Sequence, residues 1–240
     1  MQTFEDYVEE QLRPYAEGLS GDAAAVQQAL AQLEHDLPRD LLVFDLGDAA
    51  LLRAGEIATA RHDLPPDERL ALVAGVLRLQ LDWMGRPFSS RAVAYPLLDA
   101  VARDEGLPAS LRSEAANLLA AEARRCIEHL LLHLGEPLPW AENAGAPDAD
   151  DVLFDRLSQL PALFHAVKLV ECPTLAAEWR PTLIRAVTLA ATELMHDLET
   201  DADFRDQPQG YHLAGILAAC DWLPTETRAE LQGVHDRYKE

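Results

Sequence analysis

The stretch PASLRSEAANLLAAEARRCIEHLLLHLG, residues 108–135, decides the fold class. Its apolar residues recur every three or four positions, the period of an α-helix. Leu119, Ala123, Cys126, Ile127, Leu130 and Leu134 share one face, and Asn117, Arg124 and Glu128 lie opposite. Such a helix is amphipathic, and its apolar side belongs in a core. Ser110 reads as the N-cap, with Glu114 one turn on, near the spacing of a capping box. Gly135 follows the last apolar residue, where a glycine ends a helix.

Along the edge of the apolar face run Glu122, Cys126, His129 and His133. His129 and His133 are one turn apart, the spacing at which two imidazoles meet one divalent metal ion. They are the metal-ligand candidates of the chain. The whole stripe is roughly 16 Å long, too long for its four members to share one ion. The competing reading is structural: half-buried histidines at a helix edge and Cys126 as a small core hydrophobe.

The same helical period extends outward in both directions. Residues 3–17 read as a helix capped by Thr3 and stopped or bent at Pro14, followed by a second helix capped near Asp22. Pro65-Pro66-Asp67 opens a helix reaching Met84, with Leu70, Val73, Leu77 and Leu81 inward. Ser89 or Ser90 starts another, restarted at Pro96 and closed by Gly106. Beyond residue 150, Asp150 or Asp151 caps a helix reaching Val170, and Thr174 caps a short one. Pro181 then opens a helix to Glu199, and Tyr211–Asp221 and Thr225–Tyr238 close the series. Residues 135–150, GEPLPWAENAGAPDAD, have no periodicity and form the one long loop. They separate an N-terminal helical portion, 1–134, from a C-terminal one, 151–240, the two packed as one domain. The expected fold is all-α: roughly ten helices in consecutive antiparallel pairs, forming an irregular bundle or a short HEAT-like solenoid.

One stretch reads two ways. Asp40-Leu41-Leu42-Val43-Phe44-Asp45-Leu46-Gly47-Asp48 resembles the first motif of the haloacid-dehalogenase phosphatases, an apolar strand ending in a nucleophilic Asp. That resemblance implies Asp45 as nucleophile, but Gly47 stands where the family places its acid/base Asp. The alternative is a helix burying Leu41, Leu42, Phe44, Leu51 and Leu52. Two further short motifs resemble metal sites of helical enzymes. Glu193 and His196 form the ExxH element of di-iron bundles, yet both fall opposite the apolar face of their helix. His-Asp pairs at 35–36, 62–63, 196–197 and 235–236 resemble the ligand pair of the HD phosphohydrolases. There is no glycine-rich phosphate loop, no nucleophile elbow and no paired CxxC.

Charge narrows the function classes. Against 20 Lys and Arg stand 41 Asp and Glu, a net charge of −21 at pH 7. The excess is even: −10 over residues 1–134 and −11 over 135–240. Nucleic acid phosphates and anionic membranes would be repelled, whereas a basic protein partner would be attracted and its encounter speeded. Acidic loops with neighbouring aromatics supply the candidate partner-binding residues: Trp140, Asp148, Asp150 and Asp151, then Asp201, Asp203, Phe204 and Asp206. Cys126, Cys172 and Cys220 are odd in number and far apart, as in a reduced cytoplasmic protein. The first residues, MQTFEDYVEE, lack the apolar run of a signal peptide, and no stretch is long enough to span a membrane. Only Lys168 and Lys239 are lysines, a usage that with the many Ala and Leu points to a GC-rich bacterial genome. The expected function is that of a non-enzymatic binder, with no cofactor, such as an immunity or inhibitor protein that sequesters a basic partner. A metal-dependent helical enzyme using His129 and His133, and a structural homo-oligomer, are the alternatives.

Overall fold

A computed structural model describes residues 4–37, 44–86, 90–140, 159–200 and 208–238. Among these residues there are ten α-helices, one 3-10 turn and no strand, so the fold is all-α. The helices are α1 (Phe4–Leu19), α2 (Ala23–Asp36), α3 (Phe44–Ala60), α4 (Pro66–Met84) and α5 (Tyr95–Arg103). They continue with α6 (Ala109–His133), α7 (Gln159–Val170), α8 (Arg180–Thr200), α9 (Pro208–Ala218) and α10 (Thr225–Tyr238). The chain divides into two compact units, Met1–Leu119 and Ala120–Glu240. α6 contributes residues to both.

Local chemistry sets the helix ends. Asp22 caps α2 by accepting the Ala25 N–H at 2.9 Å. α6 ends on Gly135 at φ +69°, with Gly135 N–H bonded to the Leu132 carbonyl and Glu136 N–H to that of Leu131. That double closure needs a residue in the left-handed region, which glycine enters without a Cβ clash. The N-terminus of α6 differs from expectation. Its first residue is Ala109, and the Pro108 carbonyl accepts the Arg112 N–H at 3.1 Å, so Ser110 lies inside the helix. Pro14 likewise sits inside α1, which runs on to Leu19. A proline removes one ladder bond, and an exposed helix can spare one. The short helix expected after Thr174 is a run of turns, closed by Leu175 N–H to Cys172 and Trp179 N–H to Ala176. α9 starts three residues before Tyr211 and ends at Ala218 rather than Asp221.

Phe44 to Asp48 are helical, the opening turn of α3. The phosphatase resemblance requires a strand running into Asp45, and it does not survive this. The glycine has a packing reason instead: a Cβ on Gly47 would lie 2.5 Å from the Trp83 ring. Trp83 Nε1 donates to the neighbouring Asp48 carboxylate at 2.6 Å. Residues 38–43 lie outside those described.

The first unit stacks one antiparallel hairpin on another. α1 pairs with α2, and α3 with α4; α1 then packs on α3, and α2 on α4. The direction follows from the contacts. A Cβ on Gly75 would meet Leu30, and Arg78 binds Glu34 at 2.8 Å, so α2 and α4 run parallel. Gly47 against Trp83, with Gln80 Nε2 donating to the Leu51 carbonyl at 2.8 Å, sets α3 antiparallel to α4. α4 buries Leu72, Val73, Val76, Leu77 and Leu79, and with them Arg69 and Gln80. The buried stripe is therefore rotated from the one expected, because α4 is covered by both α2 and α3.

The second unit follows the same plan. α7 pairs with α8 and α9 with α10; α7 packs on α9, and α8 on α10. The C-terminal ends of α8 and α10 meet through Glu199 and Arg237 at 2.6 Å. Gly215 on α9 gives room to the His235 ring on α10, which would stand 2.8 Å from an added Cβ. Leu183, Val187, Ala190, Ala191, Leu194, Met195 and Leu198 form the buried face of α8, as their spacing predicts.

Three arginines close helix C-termini, where the last carbonyls lack intrahelical donors. Arg61, the residue after α3, donates to the Leu19 and Gly21 carbonyls at 2.8 and 3.0 Å and so closes the end of α1. Arg91 reaches Met84 at the end of α4 at 3.0 Å. Arg180 donates to Val170 and Cys172 at 2.6 Å each, tying the end of α7 to the start of α8. Bonds from a charged donor are the stronger kind. Arg180→Met should lower stability by about 3 kcal/mol, with two such bonds lost and their carbonyls half-buried. Chemical denaturation of wild type and variant measures it. A loss below about 1 kcal/mol would show that water replaces the guanidinium at no real cost.

Candidate functional site

In the first unit a groove of about 640 Å³ runs along the α1–α2 hairpin. Two helical stripes build it. From α1 come Gln11, Pro14, Tyr15 and Gly18, and from α2 come Ala25, Gln28, Ala29, Gln32 and Asp36. Both follow i, i+3, i+4, i+7 spacing, which keeps a side-chain row on one face. The floor is of small residues, because α1 and α2 approach closely: a Cβ on Gly18 would lie 2.7 Å from that of Ala29. The walls are polar. Tyr15 donates its hydroxyl to Asp36 at 2.6 Å, and Gln32 donates to both oxygens of the same carboxylate at 2.9 and 2.8 Å. Next to the groove lies a smaller hole of about 80 Å³, lined by Leu12, Leu33, Leu46 and Trp83. Gln11, Tyr15 and Asp36 line both concavities.

The hairpin is also strongly acidic. Residues 4–36 contain eight Asp and Glu against Arg13 alone, a net −7 of the chain's −21. Asp6, Glu9, Glu10, Glu17, Asp22 and Glu34 are exposed. Glu34 is bound by Arg78, whose hydrogen bond and charge hold its carboxyl below the ordinary range.

A second cleft, of about 290 Å³, lies where α4 and α5 meet the turn before α6. It has more charge but less to offer a ligand. Arg69 Nη1 donates to Asp104 Oδ1 at 3.4 Å and its Nη2 to Oδ2, while Arg103 binds Asp99 at 2.6 Å. Its cations thus already face carboxylates. Burial alone would raise the Asp104 pKa. The Arg69 hydrogen bond, the Gly106 N–H and the charges of Arg69 and His62 outweigh it, and the carboxyl sits below its ordinary value. Arg69 and Asp104 thus latch α4 to the α5–α6 turn.

The sequence-predicted candidates are not brought together. Trp140 packs back within the second unit, its ring edge-on to Trp179 at 5.6 Å with Arg124 over its face at 5.1 Å. Asp148, Asp150, Asp151, Asp201, Asp203, Phe204 and Asp206 lie outside the described residues. His129 and His133 are half-buried on α6, and no group of three His, Cys, Asp or Glu gathers anywhere among the described residues. Glu193 is half-buried and His196 exposed. The His-Asp pairs are engaged separately: Asp36 with Tyr15, Asp63 with Arg61 at 2.8 Å, His235 with the Tyr211 carbonyl at 2.9 Å. Asp197 is buried while its neighbour His196 faces out. Cys126, Cys172 and Cys220 are buried, and none is in a disulfide. Burial, reinforced by Glu171, pushes the Cys220 thiol up to about 11, so it carries almost no reactive thiolate at neutral pH. No protein-family model, curated protein or solved structure matches this chain.

The groove was the feature that sequence reasoning missed. Its signal was present as one-signed charge on α1 and α2 and as glutamines at helical spacing.

Two outcomes test this assignment of roles. A carboxylate whose folded pKa is depressed stabilises the fold above its unfolded value of about 3.9, and that contribution fades as pH falls through the folded pKa. Asp104→Asn should therefore cost about 3 kcal/mol at pH 7 and much less near pH 2–3. Denaturation at several pH values measures this; an equal loss at all of them would mean that the charge of Asp104 does not matter. In the second test, excess zinc should leave the melting temperature within about 1 °C, because a ligand stabilises only what it binds tightly. A rise of several degrees, abolished in His129→Ala, would restore the metal reading.

Proposed function

We propose that this chain is a non-enzymatic protein-binding module that captures a basic protein partner, in the manner of an immunity or inhibitor protein that sequesters a toxin. The observation carrying this reading is the concentration of one-signed charge on a concave hairpin surface: net −7 over residues 4–36, around the α1–α2 groove. Complementary potential steers encounter and rejects wrong partners. Three further facts support it. Four of the chain's 18 arginines are turned to helix ends or to Asp104 and so do little to neutralise the acidic surface. The acidic segments 148–151 and 201–206 add charge of the same sign. Stacked helical hairpins are a frequent way of presenting extended binding surfaces.

A panel of basic proteins, with pI above about 9, should include ones that bind saturably with one-to-one stoichiometry. For these, affinity should fall at least about tenfold between 50 and 500 mM salt, mostly through the association rate, because exposed charges are screened within about 10 Å. Surface plasmon resonance at graded ionic strength reads both. Failure to bind any basic protein saturably at low salt overturns the reading.

A further inference from the structure

The reading just given leaves open which surface the partner covers and in what form. The α1–α2 groove answers both. The Ala25–Asp36 stripe is about 16 Å long, three turns of helix. Its small lining residues Gly18, Ala25 and Ala29 let a third helix approach closely, as small residues do wherever helices pack at short range. Its rims carry Glu17 and Asp36, with Glu9, Glu10 and Asp22 on the same two helices and their caps. Gln11, Gln28 and Gln32 offer amides along the walls, two of them from α2 at one-turn spacing. Beside the Tyr15–Asp36 hydrogen bond lies the apolar hole walled by Leu12, Leu33, Leu46 and Trp83. A polar, acidic trough with one apolar hole is complementary to a helix whose face alternates cationic and small residues around one large apolar side chain. Grooves that receive helices work through such anchors, and buried anchors carry most of the binding energy.

We infer that the α1–α2 groove is the docking site for a basic amphipathic helix of the partner protein, anchored by one apolar side chain beside Tyr15. The inference rests on the proposed function and goes further, since capture of a basic protein by charge alone would need no particular groove.

The probe is a fluorescein-labelled synthetic peptide of about 18 residues, long enough to form helix, built from Lys and Ala with a single central Leu. A second peptide of equal charge has Ser in place of that Leu. Binding is followed by anisotropy to wild type, to the double variant Gln28→Arg/Gln32→Arg, and to Thr192→Arg/Gln232→Arg. All four positions are exposed, and both variants change net charge by the same amount. The groove variant should lose at least about tenfold in affinity and the control variant less than about threefold. The Ser peptide should bind wild type at least about fivefold more weakly. Chemical-shift changes in the wild-type protein should gather on α1 and α2, a readout that needs no variant to fold. Equal losses in the two variants, equal binding of the two peptides, or shifts spread over the whole surface overturn the docking site while leaving a charge-driven binder standing. No saturable binding of the peptide or of any basic protein overturns both.

Discussion

The guanidinium group set against a helix C-terminus is the interaction on which this structure depends. A protein made of stacked hairpins has a helix end at every turn. Each end leaves carbonyls that the helix cannot satisfy and whose dipoles favour positive charge. Arg61, Arg91 and Arg180 meet that need at the ends of α1, α4 and α7. Arginine suits the task better than lysine, because its planar fork can bridge two carbonyls at once, as Arg180 does. The scarcity of lysine among the cations, two in all, agrees with a chain whose positive charges are used as structural forks.

The acidic surface follows from the same allocation. Cations held by carbonyls, as Arg61, Arg91 and Arg180 are, or buried beside Asp104, as Arg69 is, neutralise little of the solvent-facing charge. The first hairpin carries this furthest, with one arginine among eight carboxylates. It is also where two helices approach over a glycine and leave a trough above the contact. Shape and sign coincide there. In the cleft beside Arg69 they do not, because acids and bases of that cleft bind one another.

What could be read in the sequence was what is decided locally. The glycine stop at Gly135, the extent of α10 and the buried face of α8, but for Ala186 and Asp197, depend on neighbours within a few turns, and all three were legible. What depended on distant residues was not. The buried face of α4 is set by its being enclosed by α2 and α3, so Leu72 and Val76 are buried where Leu70 and Leu81 were expected. Gly47 had no visible reason to be glycine, because that reason, the Trp83 ring, lies far along the chain. Ser110 and Pro14 misled for a smaller reason: each has a strong preference for a helix boundary, and a helix carried by tertiary packing overrides preferences of about 1 kcal/mol for a cap and about 3 kcal/mol for a proline. The groove was hidden for a different cause. Concavity belongs to a pair of helices, and no single periodicity encodes it.

The parallel stacking of hairpins has a consequence for how such a chain can change over evolutionary time. In each unit the first helices of two hairpins lie side by side, as do the second helices. Each hairpin thus meets its neighbour through both of its helices. Duplicating or deleting one hairpin would then preserve the interlayer contact and alter only length, as in other architectures where each repeat touches mainly its neighbours. Contacts of this kind are also close in sequence, which favours rapid folding and a short time with apolar surface uncovered. Growth by whole hairpins would let such a protein enlarge its binding surface without redesigning its core.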